Sequence, residues 1–173
     1  MFRLLFDHAL YEEVIREQLP KARQYLWIGT SDLKDMYVHH HQRMIPLLEM
    51  LAGLIERKVE VRLIHAKEPG PNFRKDFDHY PVLFYGLERV LCPRVHSKMI
   101  IIDGKIAYSG SANLTGAGMG AKNDKNRNFE NGFLTDEPKI IEALMEQFDR
   151  VWRGDHCRNC GRKAFCGDSP LDL

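Results

Sequence analysis

Net charge, cysteine and long apolar runs are what this sequence has least of. Lys and Arg number 25 against 24 Asp and Glu, for a formal net charge of +1. A chain so balanced does not attract polyanions as a whole, so any recognition of phosphate must come from a local site. No stretch approaches the ~20 apolar residues that a membrane span requires, and "MFRLLFDHALYEEVIREQLP" reaches charge within a few residues. Neither a spanning helix nor a secretory leader is expected, which places the protein in the cytoplasm. Cysteine is scarce and uneven: of 4, three are Cys157, Cys160 and Cys166, and the other is Cys92. In a reducing compartment such clustering points to metal before disulfides. There is no internal repeat or low-complexity segment. Tryptophan occurs twice, and Trp27 and Trp152 are expected in the core rather than as base-stacking platforms.

What is present suits one domain. With 173 residues, 44% of them hydrophobic, the chain can bury a real core but is short for two ordinary domains. "DHALYEEVIREQLPKAR" carries Leu10, Val14, Ile15 and Leu19 as a helical stripe, with Asp7 as its expected N-cap. "QYLWIG" reads as a strand. "HQRMIPLLEMLAGLIERK" reads as an amphipathic helix, with Pro46 tolerated in its first turn. "VEVRLIHA" alternates as a strand should, and "KEPGPNFRKDFDHYP" is punctuated as a loop or short rim helix. "ERVLC", a hairpin, "NRNFENGFL" as a strand and "EPKIIEALMEQFDRVWRG" as a closing helix complete the pattern. Strands alternating with helices predict an α/β sandwich. The run His39 to His41 reads as a solvated helix entrance, since adjacent residues diverge in direction and rarely chelate one ion.

The hairpin "VHSKMIIIDGKIAYSGSANLTG" carries most of the chemistry. Met99 to Ile102 is apolar on both parities, so both faces of that strand should be covered. Side chains alternate along a strand, so His96 and Lys98 share a face, roughly 6–7 Å apart, while Asp103 points away. A two-residue turn at Asp103-Gly104 sets His96 opposite Ser111 and Lys98 opposite Ser109; one at Gly104-Lys105 sets His96 opposite Asn113 and Lys98 opposite Ser111. In both registers the imidazole, the ammonium, Ser111 and Asn113 converge at the open end. Gly110 would let the backbone approach a ligand closely.

That patch suits a phosphodiester. Lys98, the Asn113 amide and the Ser111 hydroxyl can donate to phosphate oxygens. A neutral His96 can attack phosphorus and become a covalent intermediate. Such a histidine needs its tautomer held, and Glu130 in the polar strand is the expected partner, with Asn128 on the same face.

His96-x-Lys98-x4-Asp103-x6-Gly110-Ser111-x-Asn113 resembles the HKD signature of the phospholipase D superfamily. The resemblance extends over most of the chain and implies a phospholipase D-like α-β-α sandwich with a mixed central sheet, followed by a Cys-rich C-terminal tail. Residues 1–154 would be the catalytic domain and 155–173 a metal-binding tail packed on it. With one such motif, the chain is similar to the small single-motif endonucleases of the Nuc type. That likeness implies a homodimer whose two histidines face each other, one attacking phosphorus while the other protonates the leaving oxygen and then activates water. It also implies that catalysis needs no metal, because paired lysines and asparagines supply the positive field. Asp103 belongs to the signature, yet its parity assigns it to holding the turn. Ser109-Gly110 stands where many members have two glycines.

The tail "GDHCRNCGRKAFCGDSP" spaces its cysteines as C-x2-C-x5-C. A pair three residues apart is a chelating knuckle, and Cys92 is the expected fourth ligand, with His156 second. Zinc in a structural role is the first expectation; a [4Fe-4S] cluster is the alternative, since this spacing resembles that of some iron–sulfur nucleases.

The motif sets the reaction and leaves the substrate open. Lys122, Lys125 and Arg127 follow it, among Asn123, Asn126 and Asn128, and the tail region adds Arg150, Arg153, Arg158, Arg162 and Lys163 against Asp155. These cations point to nucleic acid, DNA or RNA, with Lys98, Asn113, Lys122, Lys125, Arg127 and Asn128 as substrate contacts. No stable membrane association is expected. The alternatives are a phospholipase D-type lipid phosphodiesterase and a non-catalytic nucleic-acid-binding subunit.

Overall fold

A computed structural model describes residues 1–34 and 36–167. Its framework is a sheet of β1 (Phe2–Phe6), β2 (Tyr25–Thr30), β5 (Glu60–His65), β6 (Leu87–Leu91), β7 (Met99–Ile102), β8 (Ile106–Gly110) and β9 (Asn131–Thr135), with β3 (Tyr37–His40) and β4 (Arg43–Pro46) as a separate hairpin. The seven strands run in the order β1-β9-β8-β7-β2-β5-β6. β2, β5 and β6 are mutually parallel and the other neighbours antiparallel, so the sheet is mixed as expected.

The alternation of β7 divides the core in two. Ile100 and Ile102 lie with Leu26, Ile28, Tyr108 and Leu134 beneath a π-helix (Leu10–Gln18) and helix α1 (Leu47–Glu56). Met99 and Ile101 lie with Trp27, Ile64 and Ala107 beneath a long helix, Pro138–Trp152. All four β7 side chains are buried, each worth about 1.5–3 kcal/mol relative to exposure. Both tryptophans serve this second layer. Trp27 and Trp152 stack on Phe148, with ring centroids 5.0 and 5.9 Å away. Two short helices, α2 (Pro71–Asp78) and α3 (Val82–Gly86), bridge β5 to β6, and we designate Pro138–Trp152 α4.

Several boundaries depart from the sequence pattern. The Asp7 carboxylate does not cap the first helix: it accepts the Glu130 N–H at 2.9 Å, on a backbone with φ of 49°. The second helix begins at Leu47, because Arg43–Pro46 pairs with Tyr37–His40. His41 and Gln42, with φ of 45° and 65°, make a two-residue turn between those strands, so the histidine run is a hairpin tip rather than a helix entrance. The last strand starts at Asn131, leaving Asn128 and Glu130 in the loop ahead of it. Of the expected tail, 155–173, residues 155–167 are irregular chain with one short 3-10 turn (Lys163–Phe165), and residues 168–173 lie outside the described residues.

Candidate active site

The motif hairpin closes through three residues, since Ile102 pairs with Ile106. Neither two-residue turn forms. Lys98 instead faces Gly110, whose N–H donates to the Lys98 carbonyl at 3.2 Å. The reason lies at Asp103. Its carboxylate accepts the backbone N–H groups of Arg23, Gln24 and Tyr25 at 3.0, 2.8 and 3.0 Å, which holds it at φ of 53° with Gly104 following at 61°. Asp103 therefore ties the hairpin tip to the start of β2, at the opposite end of β7 from His96. As its parity predicted, it points away from His96 and Lys98.

At the other end of the sheet β2, β5 and β8 finish, and β7 and β9 begin. Polar groups from these ends gather there without sharing one regular strand. His96 and Lys98 precede β7 in irregular chain. His96 is exposed while Lys98 is 7% exposed, and the Lys98 ammonium reaches the imidazole Nδ1 at 3.1 Å and the His96 carbonyl at 2.6 Å. Burial pushes the Lys98 ammonium below its ordinary pKa, and the Glu130 charge works in the opposite direction. The same ammonium is 3.4 Å from Nε2, so it lies against the ring near both nitrogens rather than along the lone pair of one.

Asn113 is held by its oxygen. Oδ1 accepts the Ser31 hydroxyl at 2.7 Å and the backbone N–H groups of Ser31 and Asp32 at 3.2 and 3.1 Å. Its NH2 group is left as the end able to donate to a ligand. Sequence reasoning missed these supports, although "TSD" at the carboxyl end of an apolar strand was the available signal.

Glu130 is placed differently from the expectation. Its carboxylate takes the Ser111 hydroxyl on one oxygen and the Asn128 amide on the other, at 3.0 Å for the latter. Among the described residues its hydrogen bonds do not include His96, and the imidazole's recorded partner is Lys98. Tyr108, 1% exposed, lies under the same loop and is pushed well above the ordinary tyrosine range, chiefly by burial. Gly110 serves packing rather than ligand approach: a Cβ there would stand 2.4 Å from the Asn131 carbonyl and 2.6 Å from Gly132 Cα and the Tyr108 hydroxyl.

Four of the eight outlying cations are committed. Arg127 pairs with Asp124, Arg150 with Glu146, and Arg153 with Asp155, while Arg162 sits over the Phe165 ring. Lys122 and Lys125 are exposed on the loop after the motif. A cleft of about 490 Å³ adjoins the Asn113 anchor, lined by Asp32, Lys34, Lys67 and Asn72 among others. Burial opposes the charge of Asp32, but Lys67 and Lys34, at 3.1 and 3.4 Å, hold its carboxyl below the usual range.

A second cavity, about 310 Å³, runs from His96 to the tail and is lined by Cys92, Arg94, His156, Cys157 and Cys160. The expected metal ligands thus reach one region, Cys166 donating to the Leu91 carbonyl at 3.6 Å beside Cys92. Among the described residues no three His, Cys, Asp or Glu side chains are close enough together to hold a metal ion as they stand.

Residues 15–152 match the family described as "Cardiolipin synthase, PLD-like domain". The chain is 27% identical over 105 residues to the mitochondrial cardiolipin hydrolase of Chlamydomonas reinhardtii, a match over 60% of this chain and 44% of that protein. It therefore spans less than half the length of that relative. Among solved structures it is similar to Nuc from Salmonella typhimurium, a phospholipase D family member, with a TM-score of 0.63 and 16% identity over 88% of this chain and 95% of that one. NucT from Helicobacter pylori gives 0.62 and 17%, over 88% and 97%. The archaeal chromatin protein TrmBL2 gives 0.56 and 14%, over 87% and 52%. At these identities the structural likeness is one of fold.

Proposed function

This chain belongs to the phospholipase D-like family, and on that premise we propose that it is a phosphodiesterase, a metal-independent endonuclease acting through a phosphohistidine at His96 in a site shared by two copies. The observation that carries the reading is an exposed imidazole with the ammonium of a buried lysine against its ring, 3.1 Å from Nδ1. A neutral ring in the open can attack phosphorus, and a desolvated cation beside it strengthens any contact with phosphate oxygens.

The roles follow from the geometry. A ring nitrogen of His96 forms a bond to phosphorus as the bond to the leaving oxygen breaks. Lys98 and the Asn113 NH2 group stabilise the charge gathered on the non-bridging oxygens. The leaving oxygen needs a proton, and among the described residues the ring partner of His96 is Lys98 rather than a second acid. A second copy would supply it through the partner's His96, which then takes a proton from water as that water cleaves the phosphohistidine. Glu130 orients Ser111 and tunes Lys98 rather than holding the ring. The exposed Lys122 and Lys125 would extend contact along a polynucleotide.

The test is cleavage of labelled single- and double-stranded DNA and RNA in excess EDTA, with an acid-quenched, phosphate-labelled enzyme intermediate. His96→Ala should lose both. A requirement for added magnesium, or turnover surviving in His96→Ala, would overturn the proposal. Sedimentation should find two copies at assay concentration. A lipid substrate is the second reading, favoured by the exposed aromatic ring of Phe129, 93% accessible next to Glu130. Release of headgroup from anionic phospholipid vesicles, without nuclease activity, would select it.

A further inference from the structure

We propose that Cys92, Cys157, Cys160 and Cys166 are the four ligands of a structural zinc site that fastens the C-terminal tail to the loop presenting His96. This goes beyond the proposed reaction and does not depend on it, because the site uses none of the catalytic groups.

Three observations carry the inference. First, residues far apart in sequence share one place. Cys92, Cys157 and Cys160 line the same 310 Å³ cavity, and the Cys166 thiol bonds to the carbonyl of Leu91, the residue before Cys92. All four thiols are free. Second, the local backbone is that of a metal knuckle. The Cys160 N–H closes a turn on the Cys157 carbonyl at 3.2 Å, and the Arg162 N–H points at the Cys160 sulfur at 3.4 Å. Such N–H···S bonds stabilise thiolate, the form that binds zinc. Third, a cation stands beside the sulfurs: Arg94 lines the same cavity as Cys92, Cys157 and Cys160.

The sulfurs do not yet meet at one point, and the chain allows them to. Among the described residues the tail lacks long regular structure, and a Cβ at Gly161 or Gly167 would meet nothing within 4 Å. Ligand closure coupled to ordering of such a segment is the usual behaviour of small thiolate sites. His156 lines the same cavity but is exposed, whereas Cys92 is half-buried and follows the Leu91 carbonyl that holds Cys166, which favours Cys92 as the fourth ligand. The consequence is local. Cys92 stands four residues before His96 in a segment without regular structure, so a metal there would immobilise the loop that presents the imidazole.

The experiment uses the full chain purified without chelator. Elemental analysis should give about one zinc per chain. Titrating the reduced, metal-free protein with Co2+ should produce the sulfur-to-cobalt charge-transfer absorption and strong visible bands of a tetrahedral tetrathiolate, both displaced by Zn2+. Cys92→Ser and Cys166→Ser should each lose most of the bound metal, whereas His156→Ala should retain it. Iron with acid-labile sulfide in place of zinc would overturn the assignment, as would a Cys92→Ser chain that keeps full occupancy while His156→Ala loses it. If a serine variant does not fold, the cobalt spectrum of the native chain still decides. Fewer than four thiolates by band intensity, or no saturable binding, sinks the site. Nuclease activity is not read in any arm, so failure here leaves the proposed reaction standing, and the reverse.

Discussion

The side-chain oxygen of Asn113 accepts the Ser31 hydroxyl at 2.7 Å, and this contact decides which end of the amide is offered to a ligand. The backbone N–H groups of Ser31 and Asp32 reinforce it, and both can only donate. Asn113→Asp keeps every one of these acceptor bonds and removes the NH2 donors. It should fold normally and lose on the order of 10²–10³ in kcat, the usual worth of one oxyanion donor. Ser31→Ala removes one supporting bond and should cost less than about tenfold. Equal losses in the two variants would show that the amide nitrogen is not the working end.

Asp103 should behave as a structural residue despite its place in the motif. Asp103→Asn tolerates the left-handed backbone but loses a charge that accepts three N–H groups. We expect about 2 kcal/mol of lost stability, or roughly 4–8 °C in Tm, with kcat per folded molecule unchanged. Thermal unfolding beside single-turnover rates separates the two effects.

For Lys98 the pH dependence has a sign. Burial lowers its pKa from the ordinary 10.5, so the ammonium is lost at a lower pH in the folded protein than in the unfolded chain. Across that window the unfolded state binds more protons, and the Lys98 contribution to stability rises with pH. If the ammonium holds phosphate as proposed, activity falls across the same window. The alkaline limb of kcat/KM should therefore lie below pH 10.5, while the stability difference from Lys98→Met narrows there. Parallel decline of both quantities in alkali would contradict the assignment.

Glu130 favours the charged form of Lys98 and accepts the Ser111 hydroxyl. Glu130→Gln removes the first effect and preserves most of the second. The alkaline limb should move to still lower pH, with a smaller loss at neutral pH than Glu130→Ala shows. An unmoved limb in Glu130→Gln would mean that the carboxylate acts elsewhere.

Gly110 has no room for a side chain on the β9 side. A Cβ would press on the Asn131 carbonyl, the Gly132 Cα and the Tyr108 hydroxyl, all under 3.0 Å. Since two of these are backbone atoms, Gly110→Ala should cost about 3 kcal/mol or more and distort the loop to Asn113. Denaturant unfolding gives the magnitude, and a cost near zero would show that the strands can part.

Much of this was legible from residue order. The alternation of Met99 to Ile102 on both parities announced a strand covered on two faces, and α4 and the π-helix layer cover it. His96, Lys98, Ser111 and Asn113 could be named because their side-chain chemistry needs no neighbour to be recognised. Their arrangement was less legible. Parity reasoning assumed a regular strand through His96 and Lys98 and a two-residue turn, whereas both residues precede β7 and the turn holds three. Helix start sites failed where a distant group competed, as when Asp7 spent its carboxylate on Glu130 and residues 43–46 paired with residues 37–40.

The sequence by itself determined the layered α/β pattern, the grouping of His96, Lys98, Ser111 and Asn113 toward one end of one hairpin, and the placing of Asp103 at the other end. These rest on periodicity and side-chain type, which act over a few residues. Tertiary structure alone decided the register of that hairpin, the anchoring of Asn113 by Ser31, the turning of Glu130 toward Ser111, and the meeting of Cys92 with the tail. Each depends on which backbone groups, tens of residues away, are left unpaired at the ends of neighbouring strands. No local pattern encodes that, because a hydrogen-bond acceptor satisfies whichever donor the completed sheet brings within reach.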